Sequence, residues 1–202
     1  MEYSSRLRRQ LDFLCEIDKV KSVRRRTLLM DGSRRENDAE HAWHLAVMAL
    51  VFSEISNAPR RLNLLKVIRM LLIHDLVEID CGDTFLYDDK KRAAGAIKEE
   101  KAARRIFGLL PKDQGREFLR LWQEFEARTT PEAKFAAAVD RFQPVLHNYK
   151  TRGRVWRRAV VSPEQVLTKN RHIGDGATAL WKCVQEFVKD GIKRGYFKKC
   201  RK

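Results

Sequence analysis

Apolar residues recur along this chain every three to four positions, the spacing of amphipathic helices, and strand-like alternation is nearly absent. Leu7, Leu11, Leu14 and Ile17 predict a first helix from Ser4 to about Lys19. The basic segment 21–27 and the turn pair Asp31-Gly32 read as a loop. Asn37 or Asp38 can cap a second helix reaching about Ser56, since a short side-chain oxygen accepts from free first-turn amides. His41, Leu45, Met48, Phe52 and Ile55 form its apolar stripe, which points His41 toward the core. After Pro59, a third helix is expected from about Arg61 to Ile79, ending before Cys81-Gly82-Asp83. A polar loop, residues 87–92, leads to a fourth helix over about Ala93–Phe107. A fifth covers about Lys112–Arg128 and displays Phe118, Leu121, Trp122 and Phe125. Thr130 as cap and Pro131 in the first turn start a sixth, with Phe135, Ala136, Val139, Asp140, Gln143 and Leu146 facing inward and Pro144 expected to kink it. A basic loop around Gly153 precedes a last helix over about Gly174–Lys189. The pattern predicts one all-α domain spanning residues 1–202, a helical bundle.

The pattern is broken at four informative places. His41, His74, Asp75 and Asp140 occupy positions where a helix buries apolar side chains. Residues 70–79 are apolar except at His74, Asp75 and Glu78. A carboxylate removed from water without a partner is very costly, so buried charges are paired or bound to a metal. Two imidazoles and two carboxylates converging from three helices suit one divalent ion with coordination positions left open, and such an ion acidifies bound water. Glu78 lies one turn beyond His74, on the same sector, where it either receives a proton from water or supports His74. Asp83 either joins the site or caps the next segment. Asp140 has a plainer alternative in pairing with Arg141. His44 reaches the pocket edge or packs in the core, and His147 and His172 have no partner visible in the sequence.

Composition narrows the classes. Lys and Arg total 42 against 27 Asp and Glu, a net charge of +15, which favours anionic partners such as phosphorylated metabolites, nucleotides or nucleic acid. The densest basic stretch is the tail, residues 193–202, which reads as a solvated end. No apolar run approaches the ~20 residues of a membrane span, and the first residues lack the apolar core of a secretory signal, so a cytoplasmic protein is expected. Cys15, Cys81, Cys183 and Cys200 are scattered, which fits free thiols and neither a zinc ribbon nor a disulfide scaffold.

The order His41, then His74-Asp75, then a distant Asp140 resembles the H…HD…D signature of the HD-domain metal-dependent phosphohydrolases. The blocks at 35–44, 74–83 and 130–144 are similar to the 5′-deoxynucleotidase-like branch, the likeness running roughly from Leu11 to Asn148. The basic C-terminal helix and tail, residues 174–202, lie beyond it. The resemblance implies one divalent ion (manganese, cobalt, magnesium, zinc or iron) held by His41, His74, Asp75 and Asp140. It implies that Glu78 positions or activates water and that Asp83 lies near the sugar and leaving-group oxygen. It further implies that Arg26, with Arg25 as the alternative, orients the phosphate. Thr27 stands where some members carry an aromatic residue that touches sugar or base. The implied activity is hydrolysis of nucleoside 5′-monophosphates, deoxynucleotides first, by a homodimer. A site of this kind on another phosphoryl substrate, such as guanosine tetraphosphate, and a non-catalytic nucleic-acid-binding module are the alternatives.

Overall fold

The computed structural model describes residues 4–88 and 95–198. Cys200, the start of the expected fourth helix and most of the 87–92 loop lie outside the described residues. The architecture is all-α with one small hairpin. Helix α1 spans Ser5–Ile17, α2 Asp38–Phe52, α3 Leu64–Ile73, α4 Glu78–Cys81, α5 Gly95–Phe107, α6 Lys112–Ala127 and α7 Pro131–Lys150. Four more follow: α8 Arg154–Arg158, α9 Pro163–Asn170, α10 Ile173–Gly176 and α11 Thr178–Lys193.

Helix α7 is the central element, in contact with α2, α3, α6, α10 and α11. Its start follows from chemistry visible in the chain: the Thr130 side chain accepts from Ala133 N, and Pro131 occupies the first turn. Phe135, Ala136, Ala138 and Val139 are fully buried along it. The helix continues unbroken through the expected kink at Pro144, although proline has no N–H to give the Asp140 carbonyl.

Four differences from the pattern-based reading matter. First, residues Arg24–Leu28 (β1) and Arg35–Asn37 (β2) pair antiparallel, where a basic loop was expected. Gly32, at φ 73°, and the Asp31 side chain, which accepts from Ser33 N, shape the turn between them. Second, the third helix starts at Leu64, capped by Asn63, and gives way to a tighter 3₁₀ turn over His74–Val77 before α4. Third, helices α8 to α10 fill the stretch read as loop, and the last helix runs Thr178–Lys193 rather than 174–189. Fourth, Leu7, Leu11 and Leu14 remain largely exposed, and α1 buries Phe13 instead.

The tail is also less free than its charge suggests. Phe197 is buried and stacks on Trp156, with centroids 4.8 Å apart and planes 10° from parallel. The aromatic side chains of α6 are inside: Trp122 and Phe125 are buried, and Phe118 meets Phe13 and Phe107 edge-on. On α2 and α3, Trp43, Leu50, Val51 and Leu65 are each more than half exposed, as are Leu14, Ile97, Val160 and Ile192 elsewhere. Among the described residues no helix is long and apolar enough to cross a membrane.

Candidate metal centre

His41 reaches the site because Asn37 ends β2 and begins α2 in one step. Its side chain accepts from Glu40 N while Glu40 accepts from Asn37 N, a reciprocal cap that fixes the register of the helix. One turn on, His41 is completely buried. His74 and Asp75 enter from the 3₁₀ turn, and Asp140 comes from the middle of α7.

These four side chains meet. His41 Nε2 lies 3.0 Å from Asp140 Oδ1 and 3.8 Å from Asp75 Oδ2. His74 Nε2 lies 3.1 Å from Asp75 Oδ1 and 3.7 Å from Asp140 Oδ1. Donors that share one ion at about 2.1 Å each must stand about 3 Å or more apart, so this spacing suits a common ion. The rings are also turned correctly. His74 Nδ1 donates to Leu71 O at 2.9 Å, which leaves Nε2 facing the cluster, buried and without a hydrogen-bond partner. Behind His41, Nδ1 faces the buried Glu36 carboxylate at 3.5 Å, the kind of outer support a ligating imidazole usually has. An orphaned buried imidazole nitrogen between two carboxylates fits a metal ligand.

The electrostatics point the same way. Burial pushes the His74 imidazole down, but Asp75 and Asp140 outweigh it and carry it up to about 10. Burial also opposes ionisation of Asp75, yet His74 and Arg25 hold it below the usual carboxylate range. Burial likewise opposes Asp140, and Arg141, His41 and His74 hold it well below that range. The cluster therefore requires positive charge, which protons on imidazole supply in its place when no ion is bound.

Arg25 and Arg26 have separate environments. Successive residues of a strand face opposite sides, so Arg25 turns inward and Arg26 outward. Arg25 Nη1 donates to Asp75 Oδ2 at 2.7 Å and to Asp38 Oδ1 at 3.0 Å, and its Nε is buried without a partner. Arg26 instead lies over the Phe85 ring, 4.7 Å from its centroid. Thr27 is buried beside them. Glu78 stands with Asp38 and Asp75 in a second acidic group. Burial, then Asp75, Asp38 and Asp83, raise its pKa well above normal against the pull of Arg25. Asp38, pushed up to about 6 by burial and Asp75, was visible in the sequence only as a possible cap.

Two cavities adjoin at Arg25 and Asp83. One, of about 260 Å³, is lined by His74, Asp75, Glu78, Asp140, Arg128 and Arg141 among others. The other is framed by Arg26, Thr27, Phe85, Tyr87, Asn148 and Trp156. Arg141, the plainer partner for Asp140, has its Nε 3.5 Å from Asp140 Oδ2 and contributes to both cavities. His147 has the partner the sequence did not show, with Nδ1 donating to Leu28 O at 2.8 Å.

A helical bundle that gathers His, His-Asp and Asp from three stretches of chain defines a metal-centre protein of the HD type. The HD domain family matches residues 17–181, and this chain belongs to that family. It is 32% identical over 137 residues to the 5′-deoxynucleotidase HDDC2 of Homo sapiens, covering 67% of this chain and 65% of that one. It is 31% identical over 140 residues to the Bos taurus counterpart, covering 69% and 66%. The match thus spans just under two thirds of the length of these relatives. A crystal structure of a predicted metal-dependent phosphohydrolase from Magnetospirillum magnetotacticum MS-1 superposes with a TM-score of 0.90 at 47% identity, over 96% of this chain and 97% of that one.

Proposed function

We propose that this protein is a divalent-metal phosphomonoesterase that hydrolyses nucleoside 5′-monophosphates, deoxynucleotides foremost, to nucleoside and phosphate. The observation that carries the reading is the convergence of His41, His74, Asp75 and Asp140 beside an inward-facing Arg25. One divalent ion held by these four side chains supplies Lewis acidity and acidifies water. Manganese, cobalt, magnesium, zinc and iron all suit a donor set of imidazole and carboxylate.

The remaining work falls to the chain. Arg25, in place of Arg26, offers planar donors to the phosphoryl oxygens. Glu78 accepts a proton from the attacking water once bound positive charge offsets the burial and the Asp75 repulsion that raise its pKa. Asp83 lies where the two cavities join, which suits it to face the sugar and the leaving oxygen, and burial raises its pKa. Arg26, Thr27 and Phe85 then border the nucleoside. We assign the exposed Trp43, Leu50, Val51 and Leu65 face to a homodimer contact, which sedimentation of Leu50→Lys tests. The free Cys15, Cys81 and Cys183 suit the reducing cytoplasm.

The decisive assay is phosphate release from a panel of ribo- and deoxynucleoside monophosphates and guanosine tetraphosphate, with each metal in turn. Preferred release from the deoxynucleotides is expected. No release from any monophosphate by protein shown to contain metal refutes the activity.

A further inference from the structure

Behind His41, on the side away from Asp140, lies a second group of ligand-type side chains that the reaction does not use. Glu36, in the middle of β2, is 1% exposed, and His147, on α7, is 3% exposed. His44 lies one turn beyond His41 on α2 and is half-buried, so the group has an opening to solvent. One ligand atom from each of the three lies within 4.8 Å of the others.

The hydrogen bonds around the group fix how its atoms face. His147 Nδ1 donates to Leu28 O at 2.8 Å, so its Nε2 carries a lone pair, and that atom faces His44 Nδ1 at 3.4 Å. Gln143 Nε2 donates to Glu36 Oε1 at 2.6 Å and lies 3.4 Å from His44 Nδ1. If His44 Nδ1 accepts from Gln143, two imidazole lone pairs confront one another beside a buried carboxylate. If it is protonated instead, its bond to His147 is long for N–H···N and the Gln143 donor loses its second acceptor. Neither arrangement satisfies the group, and Gln143 Oε1 remains buried without a partner. A cation between the rings removes the conflict. Two ligands about 2.1 Å from one ion, at angles between octahedral and tetrahedral, stand about 3.0–3.4 Å apart, which includes the observed separation. Burial lowers the pKa of both imidazoles, so both are neutral and able to ligate at pH 7.

We propose that Glu36, His44 and His147 form a second divalent-cation site, separate from the HD cluster. Two imidazoles and one carboxylate select a first-row transition ion such as zinc, cobalt(II) or iron(II) over magnesium or calcium. The two sites share a wall, because Glu36 Oε2 also faces His41 Nδ1 at 3.5 Å. An ion at the second site therefore draws on the carboxylate that orients a ligand of the first.

The test is metal counting on the full chain, with no need for activity. Metal-free protein is loaded with zinc or cobalt(II) at a few equivalents, desalted, and analysed for metal per chain. Wild type should hold two ions. His44→Ala, which changes a half-exposed residue, and His147→Gln should each hold one. His74→Ala should also hold one, and the His44→Ala/His74→Ala pair none, with thermal melts confirming that each variant is folded. A single ion in wild type overturns the proposal. So does a second ion that survives in His44→Ala, which would place it with Asp38, Asp75 and Glu78. If His147→Gln does not fold, His44→Ala decides alone.

Discussion

Arg25→Ala removes a guanidinium that binds both Asp38 and Asp75, and its cost can be worked from the contacts. Nη1 lies 2.7 Å from Asp75 Oδ2 and 3.0 Å from Asp38 Oδ1, with side-chain exposures of 11% for Arg25, 0% for Asp38 and 13% for Asp75. Charge centres about 4 Å apart attract by about 4 kcal/mol at an effective permittivity near 20, so the two pairs are worth about 8 kcal/mol before desolvation. Burying the three ions takes back several kcal/mol, and deleting one partner of such a group typically costs about 3–5 kcal/mol. For metal-free protein with a urea slope of about 2 kcal/mol/M, that lowers the unfolding midpoint by about 1.5–2.5 M. Arg25→Lys keeps the charge and should lose well under half as much. Activity separates the second role of the residue. Losing a charge-assisted hydrogen bond to phosphate costs about 1.5–3 kcal/mol, so kcat/KM should fall about 10- to 150-fold in Arg25→Ala. It should fall almost as far in Arg25→Lys, whose ammonium lacks the planar fork. A midpoint shift under about 0.5 M refutes the buried-charge reasoning. Unchanged kcat/KM in both variants refutes the phosphate role, and a matching loss in Arg26→Ala alone moves that role to Arg26.

Two further predictions concern stability. Phe197→Ala strips the ring stacked on Trp156 and should destabilise the protein by about 2–4 kcal/mol in urea titration; a loss under about 1 kcal/mol would mean the tail is not docked. Burial, with Arg128 and Arg141, pushes His172 down to about 4 from its ordinary 6.5. The unfolded chain therefore takes up a proton that the folded one refuses, and stability falls as pH drops from about 6.5 toward about 4. His172→Gln should flatten the stability curve in that window, and parallel curves for the two proteins would count against it.

The chemistry was more legible in the sequence than the local backbone. Thr130-Pro131 and Asn37…Glu40 announce their helices because capping is local, and a charge on an apolar stripe marks itself. The hairpin was hidden because Arg24, Arg25 and Arg26 carry the same charge, so no alternation shows which faces inward. Without the hairpin, Arg25 and Arg26 could not be told apart. The break at His74 was equally hidden, since residues 70–73 are strong helix formers and tertiary contacts impose the tighter turn. Helix α9 is a different case. Ser162 and Gln165 form a reciprocal cap, with Pro163 in the first turn, that was readable in a segment that basic residues made look like loop. The burial of Glu36 and Asp38 does not show in the sequence because nothing local distinguishes a buried acid from a solvated one.

The four donors of the HD cluster come from residues 41, 74–75 and 140, so an ion bound there is also a cross-link. It ties together stretches separated by more than thirty and more than sixty residues, as a staple would. Ligand at a hundred times its dissociation constant stabilises a fold by about 2.7 kcal/mol. Chelation would thus do two things at once: silence the centre and slacken the bundle around it.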